Sequence, residues 1–296
     1  MPDKIRTGIV GLGNWGKNVA RELNAASELV AFASKGHSGH ESWLSEHLPA
    51  VRRTTLDTLL NDQTIQAIAI ATPIPFLSDL AHAALSAGKH TFVEKPLASS
   101  AEVAELLAAL ARRRDLILLA GYVFLYHPVY LELKRRADLQ SVRAVRLEWR
   151  KFGTFAEPIE QSLLTHHLSL ILDMLGEPEN GRISCGPGTY SRCDTIETHL
   201  SYATLAVTSV IDRTSPHNTH RIALEMDDGS SLVWEENLLF SIDDKGGKPT
   251  IVYDDKRQPL TAEIAGFVEA AGGGGLELPS SGSFAAKVLR LLERIR

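Results

Sequence analysis

Six residues near the start of the chain carry its most specific chemical signal. Gly11-Leu12-Gly13-Asn14-Trp15-Gly16 has the spacing G-x-G-x-x-G, directly after an apolar run and directly before a helical pattern. In that setting Gly11 permits a tight turn, Gly13 lets the backbone approach a pyrophosphate, and Gly16 lets helix and strand pack closely. The helix start then offers unpaired N–H groups and a positive dipole end to phosphate oxygens. Glycine loops are common, so the position after a strand is what makes this one read as a dinucleotide site. The end of the next strand reports which dinucleotide. A carboxylate there would hold the ribose 2′-hydroxyl of NAD. The chain instead reads Ala33-Ser34-Lys35-Gly36-His37-Ser38, with no carboxylate before Glu41. Ser34 and Lys35 suit a 2′-phosphate and hence NADP, with NAD as the other dinucleotide the loop would take. The plainer reading of the pair is a solvated turn.

Two further positions could move protons. Lys95 ends an apolar run and precedes Pro96, which keeps it out of the α region and fixes its direction. Reactive groups of doubly wound sheets gather at that edge, although a lysine there is also an ordinary turn residue. His166 and His167 sit in a leucine-rich helical pattern. Neighbours on a helix point about 100° apart, so one of them can face a pocket and the other cannot. A lone histidine on such a face is commonly a satisfied core residue. No carboxylate stands at ligand spacing, so no metal is expected.

The elements that must position these groups alternate in type. Ile5–Val10, Leu29–Ala33, Gln66–Ala71, His90–Glu94 and Leu116–Ala120 read as strands. Gly16–Ala26, Thr55–Asn61, Phe76–Ala87 and Ala101–Arg113 read as helices between them. This alternation predicts a parallel, doubly wound sheet with right-handed crossovers. The pattern changes after Gly121. Helices are expected at His127–Arg136 and Ser162–Leu175, strands over Val142–Lys151, Thr198–Asp212 and Ile222–Glu236, and closing helices at Glu263–Ala271 and Phe284–Ile295. Asp227-Asp228-Gly229-Ser230 marks a hairpin. The fold class expected is α/β: a Rossmann domain over residues 1–120, then an α+β domain over 121–296 with an open, mostly antiparallel sheet.

Composition sets the outer limits. The 296 residues carry 31 Lys+Arg against 36 Asp+Glu, a formal charge of −5, with 44% hydrophobic and 23% charged residues. That is globular rather than disordered composition. Mild acidity argues against a nucleic-acid partner. No apolar run approaches a membrane span, and the N-terminus lacks the layout of a secretion signal, so a cytoplasmic protein with no membrane partner is expected. Cys185 and Cys193 read as free structural thiols.

Gly11–Asn18, Thr72-Pro73 and above all Gly88-Lys89-His90-Thr91-Phe92-Val93-Glu94-Lys95-Pro96 resemble the Gfo/Idh/MocA oxidoreductases. Leu163–Gly176 is similar to that family's long helix carrying an active-site histidine, and Pro259–Phe267 to its late helix. The resemblance implies a Rossmann domain followed by an open-faced sheet domain that supplies the substrate pocket and often the oligomer interface. It implies NAD(P)-linked redox at a secondary alcohol of a sugar, cyclitol or nucleotide sugar. It places Lys95 and His166 as the catalytic residues, and Gly11, Gly13, Asn14, Trp15, Gly16, Ser34, Lys35, Ala71, Thr72, Pro73, Glu94 and Lys95 around the cofactor. Glu94 either contacts the nicotinamide end or orients Lys95. Tyr122, His127 and Trp149 are pocket residues or core packing.

The chain departs from the family at two points: Ser162 stands where many members carry aspartate one turn before the histidine, and Leu77 where histidine is usual. With serine offering no charge, Lys95 is expected to carry most of the proton transfer. Two other readings of the resemblance stand beside the sugar oxidoreductase. One is a catalytically silent, dinucleotide-sensing regulator; the other is a reductase of a non-sugar substrate. A sheet with one uncovered face is expected to pair with a copy of itself, as a homodimer or homotetramer through the Thr198–Glu236 region.

Overall fold

The computed structural model describes residues 4–34, 41–244 and 246–296; Lys35 lies outside them. The chain divides into two compact units, Met1–Val123 with Leu260–Leu289, and Phe124–Pro259 with Arg290–Arg296.

The first unit is built on β1 (Arg6–Val10), α1 (Asn14–Ala26), β2 (Glu28–Ala33), α2 (Glu41–His47), β3 (Arg52–Arg53), α3 (Leu56–Asn61), β4 (Ala67–Ile70), α4 (Leu77–Ser86), β5 (His90–Glu94), α5 (Ala101–Arg113) and β6 (Leu118–Gly121). The strands form one parallel sheet in the order β3-β2-β1-β4-β5-β6. Central strands such as β4 are buried on both faces, which is why they read as unbroken apolar runs. The expected Rossmann sheet is therefore present. The short β3 and α2 were not expected, having too few apolar residues to show a period. Helix starts follow local chemistry: Thr55 Oγ1 accepts from Thr58 N–H, and Ser100 Oγ from Val103 N–H. Gly88, at φ +76°, ends the connection after α4 in a conformation that favours glycine.

The second unit contains α6 (Pro128–Arg136), β7 (Val142–Phe152), α7 (Thr165–Leu175), β8 (Asn180–Pro187), β9 (Cys193–Ser201), β10 (Ala206–Asp212), β11 (Thr214–Met226), β12 (Ser231–Glu235), β13 (Leu238–Ile242) and β14 (Thr250–Asp254). Its eight strands run β14-β13-β12-β11-β7-β10-β9-β8. All neighbours are antiparallel except β7 and β10, so the sheet is mixed but mostly antiparallel, as the pattern predicted. The β11–β12 turn is the expected hairpin, with Gly229 at φ +88° and Asp228 Oδ1 accepting from Ser230 N–H.

Two further features differ from expectation. Cys185 and Cys193 are not free thiols but a disulfide. The β8–β9 hairpin folds them back on each other with Cα atoms 5.6 Å apart, inside the range a disulfide spans. Helices α8 (Pro259–Ala271) and α9 (Gly282–Ile295), read from the sequence as closing the second domain, return for most of their length to the first unit. Leu260, Ile264 and Phe267 of α8 join one core with Ile9, Leu23, Phe32, Phe92 and Leu119. The Phe92 and Phe267 rings lie 5.9 Å apart, and Ala120 N–H bonds to the Ser280 carbonyl at 2.8 Å. Because Phe267 is fully buried in that core, Phe267→Ala is expected to cost about 3–5 kcal/mol of stability, read as a lowered urea midpoint.

Candidate active site

The sheet order reverses between β2-β1 and β4, and the glycine loop stands at that switch point, above the C-terminal ends of β1 and β4. Gly11 and Gly16 tolerate no larger residue. A Cβ on Gly11, which has φ +93°, would stand 2.3 Å from the Ala71 carbonyl oxygen, and one on Gly16 2.4 Å from that of Gly11. Gly13 is different, because a Cβ there would meet nothing within 4 Å. Gly13 is also the N-cap of α1, with no side chain capping the helix. Open space over an uncapped 13-residue helix start with no acidic residue in its first turn is what a pyrophosphate requires. Just beyond β4, the Thr72 hydroxyl is buried with no partner among the described residues. These groups fit a dinucleotide: Gly13, Asn14 and Trp15 against the phosphates, and Ala71, Thr72 and Pro73 along the neighbouring strand end.

At the end of β2, Ser34 is described and its carbonyl lies 3.4 Å from Arg53 Nη2. Arg53 went unnoticed in the sequence because it belongs to the two-residue β3, which pairs with β2.

Glu94 and Lys95 occupy the end of β5. Trp15 Nε1–H donates to Glu94 Oε1 at 2.5 Å, so the glycine loop and this strand end are joined by a side-chain bond. Glu94 is only 9% exposed. Burial pushes its carboxyl up to about 7, against the Lys95 charge and the hydrogen bonds from Trp15 and the Lys95 backbone N–H. Lys95 is half-buried, and its peptide bond to Pro96 is cis. Tyr122, at the end of β6, is fully buried against Phe284.

The second unit places His166 in an aromatic cluster, 6% exposed. Its ring lies 5.1 Å from Phe124 and 5.6 Å from Trp149. His167 packs on the same Trp149 ring, at 6.0 Å, so both neighbours reach the cluster; it is fully buried and its Nδ1 shares a 2.7 Å hydrogen bond with Ser209 Oγ of β10. His127 caps α6 by accepting from Val129 N–H at 3.2 Å and packs 4.7 Å from Trp234. His220 was missed in the sequence. It stacks on Phe124 at 4.5 Å and lies 5.1 Å from Trp149 and 5.4 Å from His167. Only the pairing of β11 with β7, which sets His220 opposite Trp149, reveals it. Ser162 lies in a π-helical turn, Glu160–Leu164, ahead of α7, and its hydroxyl donates to the Pro158 carbonyl at 2.9 Å. Leu77 is a buried core residue at the start of α4.

A cavity of about 710 Å³ lies elsewhere in the second unit, lined by Phe155, Ile159, Cys185, Cys193 and Arg213 and by none of the candidate residues. Among the described residues no group of three His, Cys, Asp or Glu is placed to hold a metal, and no helix is long and apolar enough to cross a membrane.

Residues 5–122 match the model of the Gfo/Idh/MocA oxidoreductases, described as an oxidoreductase family with an NAD-binding Rossmann fold. The match takes in β1 to β6 and stops short of the second unit. It is 29% identical over 182 residues to UDP-N-acetylglucosamine 3-dehydrogenase of Acidithiobacillus ferrooxidans, covering 60% of this chain and 57% of that protein. It is 28% identical over 145 residues to dTDP-3,4-didehydro-2,6-dideoxy-alpha-D-glucose 3-reductase of Actinomadura kijaniata, covering 48% of this chain and 43% of that one. The chain thus matches about half the length of these relatives. A solved structure of the A. ferrooxidans protein has the same fold, with a TM-score of 0.87 at 24% identity over 98% of this chain and 96% of that chain.

The histidine cluster makes a test of its own. Burial holds His127 down at about 4 against the pull of Asp255, while burial and then the His127 charge hold His220 at about 3. Burial, followed by the His220 charge, keeps His167 well below its usual value. Unfolded, all three take up protons near 6.5. The unfolded state therefore binds more protons below that pH, and the stability these groups contribute is lost as pH falls from 6.5 toward 4 and 3. His220→Phe keeps a ring on Phe124 and removes one titrating group. Its urea midpoint should fall less than that of the wild type between pH 7 and 4.5.

Proposed function

We propose that the protein is an NADP-preferring oxidoreductase that moves hydride to or from a secondary alcohol or ketone of a sugar, cyclitol or nucleotide sugar. The observation that carries this reading is the uncapped start of α1 over the open space at Gly13, beside the unpartnered Thr72 hydroxyl. Cofactor choice follows from β2, which ends without a carboxylate: Ser34 comes next, with Arg53 beside its carbonyl, and Lys35 is the following residue in the sequence. Two relatives named for nucleotide sugars favour that substrate class.

The dinucleotide, when bound, gives or takes the hydride. Lys95 handles the proton. In oxidation the hydroxyl proton passes to the Lys95 amine as the carbinol carbon loses its hydride with the bonding pair. In reduction the Lys95 ammonium returns a proton to the forming alkoxide. His166 binds a substrate hydroxyl, and the Phe124 and Trp149 rings that frame it suit the C–H face of a sugar ring. The protein works as a homodimer or homotetramer through the Thr198–Glu236 region, where β9 and β10 alternate buried and outward side chains.

NADPH should bind more tightly than NADH. Lys35→Ala should weaken NADPH about tenfold or more and spare NADH, since a charge-assisted contact contributes roughly 1.5–3 kcal/mol. Equal wild-type affinities by fluorescence titration would remove the NADP assignment. In turnover with a panel of sugars and nucleotide sugars, Lys95→Ala should lower kcat by roughly 10²–10⁴ with cofactor affinity retained, and His166→Ala should cost less. Light scattering at micromolar concentration should give the mass of a dimer or tetramer.

A further inference from the structure

The cavity of about 710 Å³ in the second unit has a disulfide in its wall: Cys185 and Cys193 both line it, together with Phe155, Ala156 and Ile183. It holds none of the candidate active-site residues. A space of that size takes a small molecule. The two cysteines meet solvent unequally. Cys185 is exposed on β8, whereas Cys193, at the start of β9, is buried. Ile183 and Cys185 are two residues apart on one strand and so share a face. A thiolate in the cavity therefore reaches the sulfur of Cys185 first. Disulfides open to solvent are the labile ones.

The bond also fastens a weakly paired strand end. β8 ends the sheet order, next to β9. Its register slips between Gly186 and Pro187, and Pro187 has no N–H to give to the ladder. Residues 188–192 then cross to β9 and carry Tyr190. Asp194 gathers that turn: Oδ2 accepts from the Thr189 and Tyr190 N–H groups at 2.5 and 2.6 Å, and Oδ1 from the Ser191 hydroxyl at 2.6 Å. The Tyr190 ring stacks on Phe155 at 4.6 Å and stands edge-on to Phe152 at 5.5 Å. Phe155 begins the segment that runs through Pro158 and Ile159 into the π-helical turn and α7. The disulfide thus anchors the outer end of a chain of contacts leading to the helix of His166.

We propose that Cys185–Cys193 is a thiol-responsive modification site, at which a low-molecular-weight thiol entering the cavity exchanges with the disulfide and loosens the segment ahead of α7. The incoming thiolate sulfur bonds to Cys185 Sγ. The Cys185–Cys193 bond breaks, and Cys193 leaves with the electron pair and takes up the proton that the incoming thiol gave up. A second thiol attacking the mixed disulfide frees Cys185, so that the two thiols supply the two electrons of a full reduction. The modification site stands apart from the proposed oxidoreductase activity; its consequence at His166 rests on that reading.

Unfolded protein purified without reductant should show no free thiol to iodoacetamide; two free thiols would overturn the proposal. Folded protein given glutathione should gain one glutathione at Cys185 by peptide mapping and leave Cys193 open to alkylation. Glutathione on Cys193, or a disulfide that reacts only after unfolding, would overturn it. Ile183→Trp narrows the cavity beside Cys185 and should slow the exchange severalfold. Ala156→Trp does so from another wall and serves if the first variant does not fold. An unchanged rate in a folded variant would overturn entry through the cavity.

Hydrogen exchange reads the loosening. In reduced wild type and in Cys185→Ser/Cys193→Ser, amides of residues 154–164 should exchange roughly tenfold faster or more, while α5 in the other unit keeps its protection. Equal protection in oxidised and reduced protein would overturn that step. In turnover, the reduced form should show a severalfold higher KM for the sugar substrate with NADP(H) affinity unchanged, and an unchanged KM would overturn the link to His166. If no substrate turns over, the oxidoreductase reading fails while mapping and hydrogen exchange still decide the thiol site.

Discussion

The close approach of backbone to backbone at the glycine loop governs the first unit. Gly11 lies against the Ala71 carbonyl and Gly16 against that of Gly11, at separations no side chain survives. The N-cap between these two glycines is Gly13, which stands in open space and has no side chain to cap the helix, so the N–H groups of the helix start remain open there. The same approach projects Trp15 sideways, where its indole reaches Glu94 across the ends of β1, β4 and β5. The uncapped start of α1 and the Lys95 strand end are thus joined through Trp15 and Glu94, and helix α8 packs on the same strand through the Phe92–Phe267 contact.

The second unit relies on a different constraint, the pairing of buried charge. Arg213 and Asp194 are almost fully buried as an ion pair, N to O 3.6 Å. Arg213 also donates to the carbonyls of Thr154 (2.5 Å), Glu157 (2.8 Å) and Cys193 (3.0 Å) and to Ser191 Oγ (2.5 Å). It thereby ties the β8–β9 hairpin to the segment that enters the π-helical turn and α7. Removing either partner would strand the other charge, which costs far more than the pair contributes. The Cys185–Cys193 disulfide closes the same hairpin, and Tyr190 stacks on Phe155 at 4.6 Å across the join. The helix carrying His166 therefore begins from an immobilised segment.

How much of this was legible depended on whether the determinant was local. The glycine loop, the E-K-P strand end, the β11–β12 turn and Ala101–Arg113 each announce themselves within a dozen residues. Arg53 and His220 do not, because what makes them notable is the strand beside them rather than their own neighbours in sequence. The return of α8 to the first core was invisible for the same reason: an amphipathic helix shows that it buries a face, not which sheet receives it. The disulfide was misread because compartment statistics stood in for geometry, and a hairpin of this register brings the two cysteines together regardless. The π-helical turn has the same apolar spacing as the helix it precedes, so Ser162–Leu175 read as one element.

That turn bears on the substitution of Ser162. In an uninterrupted α-helix, residue 162 would stand one turn above His166 and its side chain would be available to the histidine's face. Here its hydroxyl donates to the Pro158 carbonyl, the i−4 bond that serine makes when it serves the backbone. Thr165 does the same toward Gln161 at 2.9 Å. The Pro158 carbonyl also accepts from the Gln161 and Ser162 N–H groups, at 3.1 and 2.9 Å, so the serine hydroxyl adds a third bond at this turn. A carboxylate at 162 could not donate to the Pro158 carbonyl. The serine therefore belongs to the geometry of the turn. With serine at 162, that turn carries no acidic group at this position to balance a charge on His166.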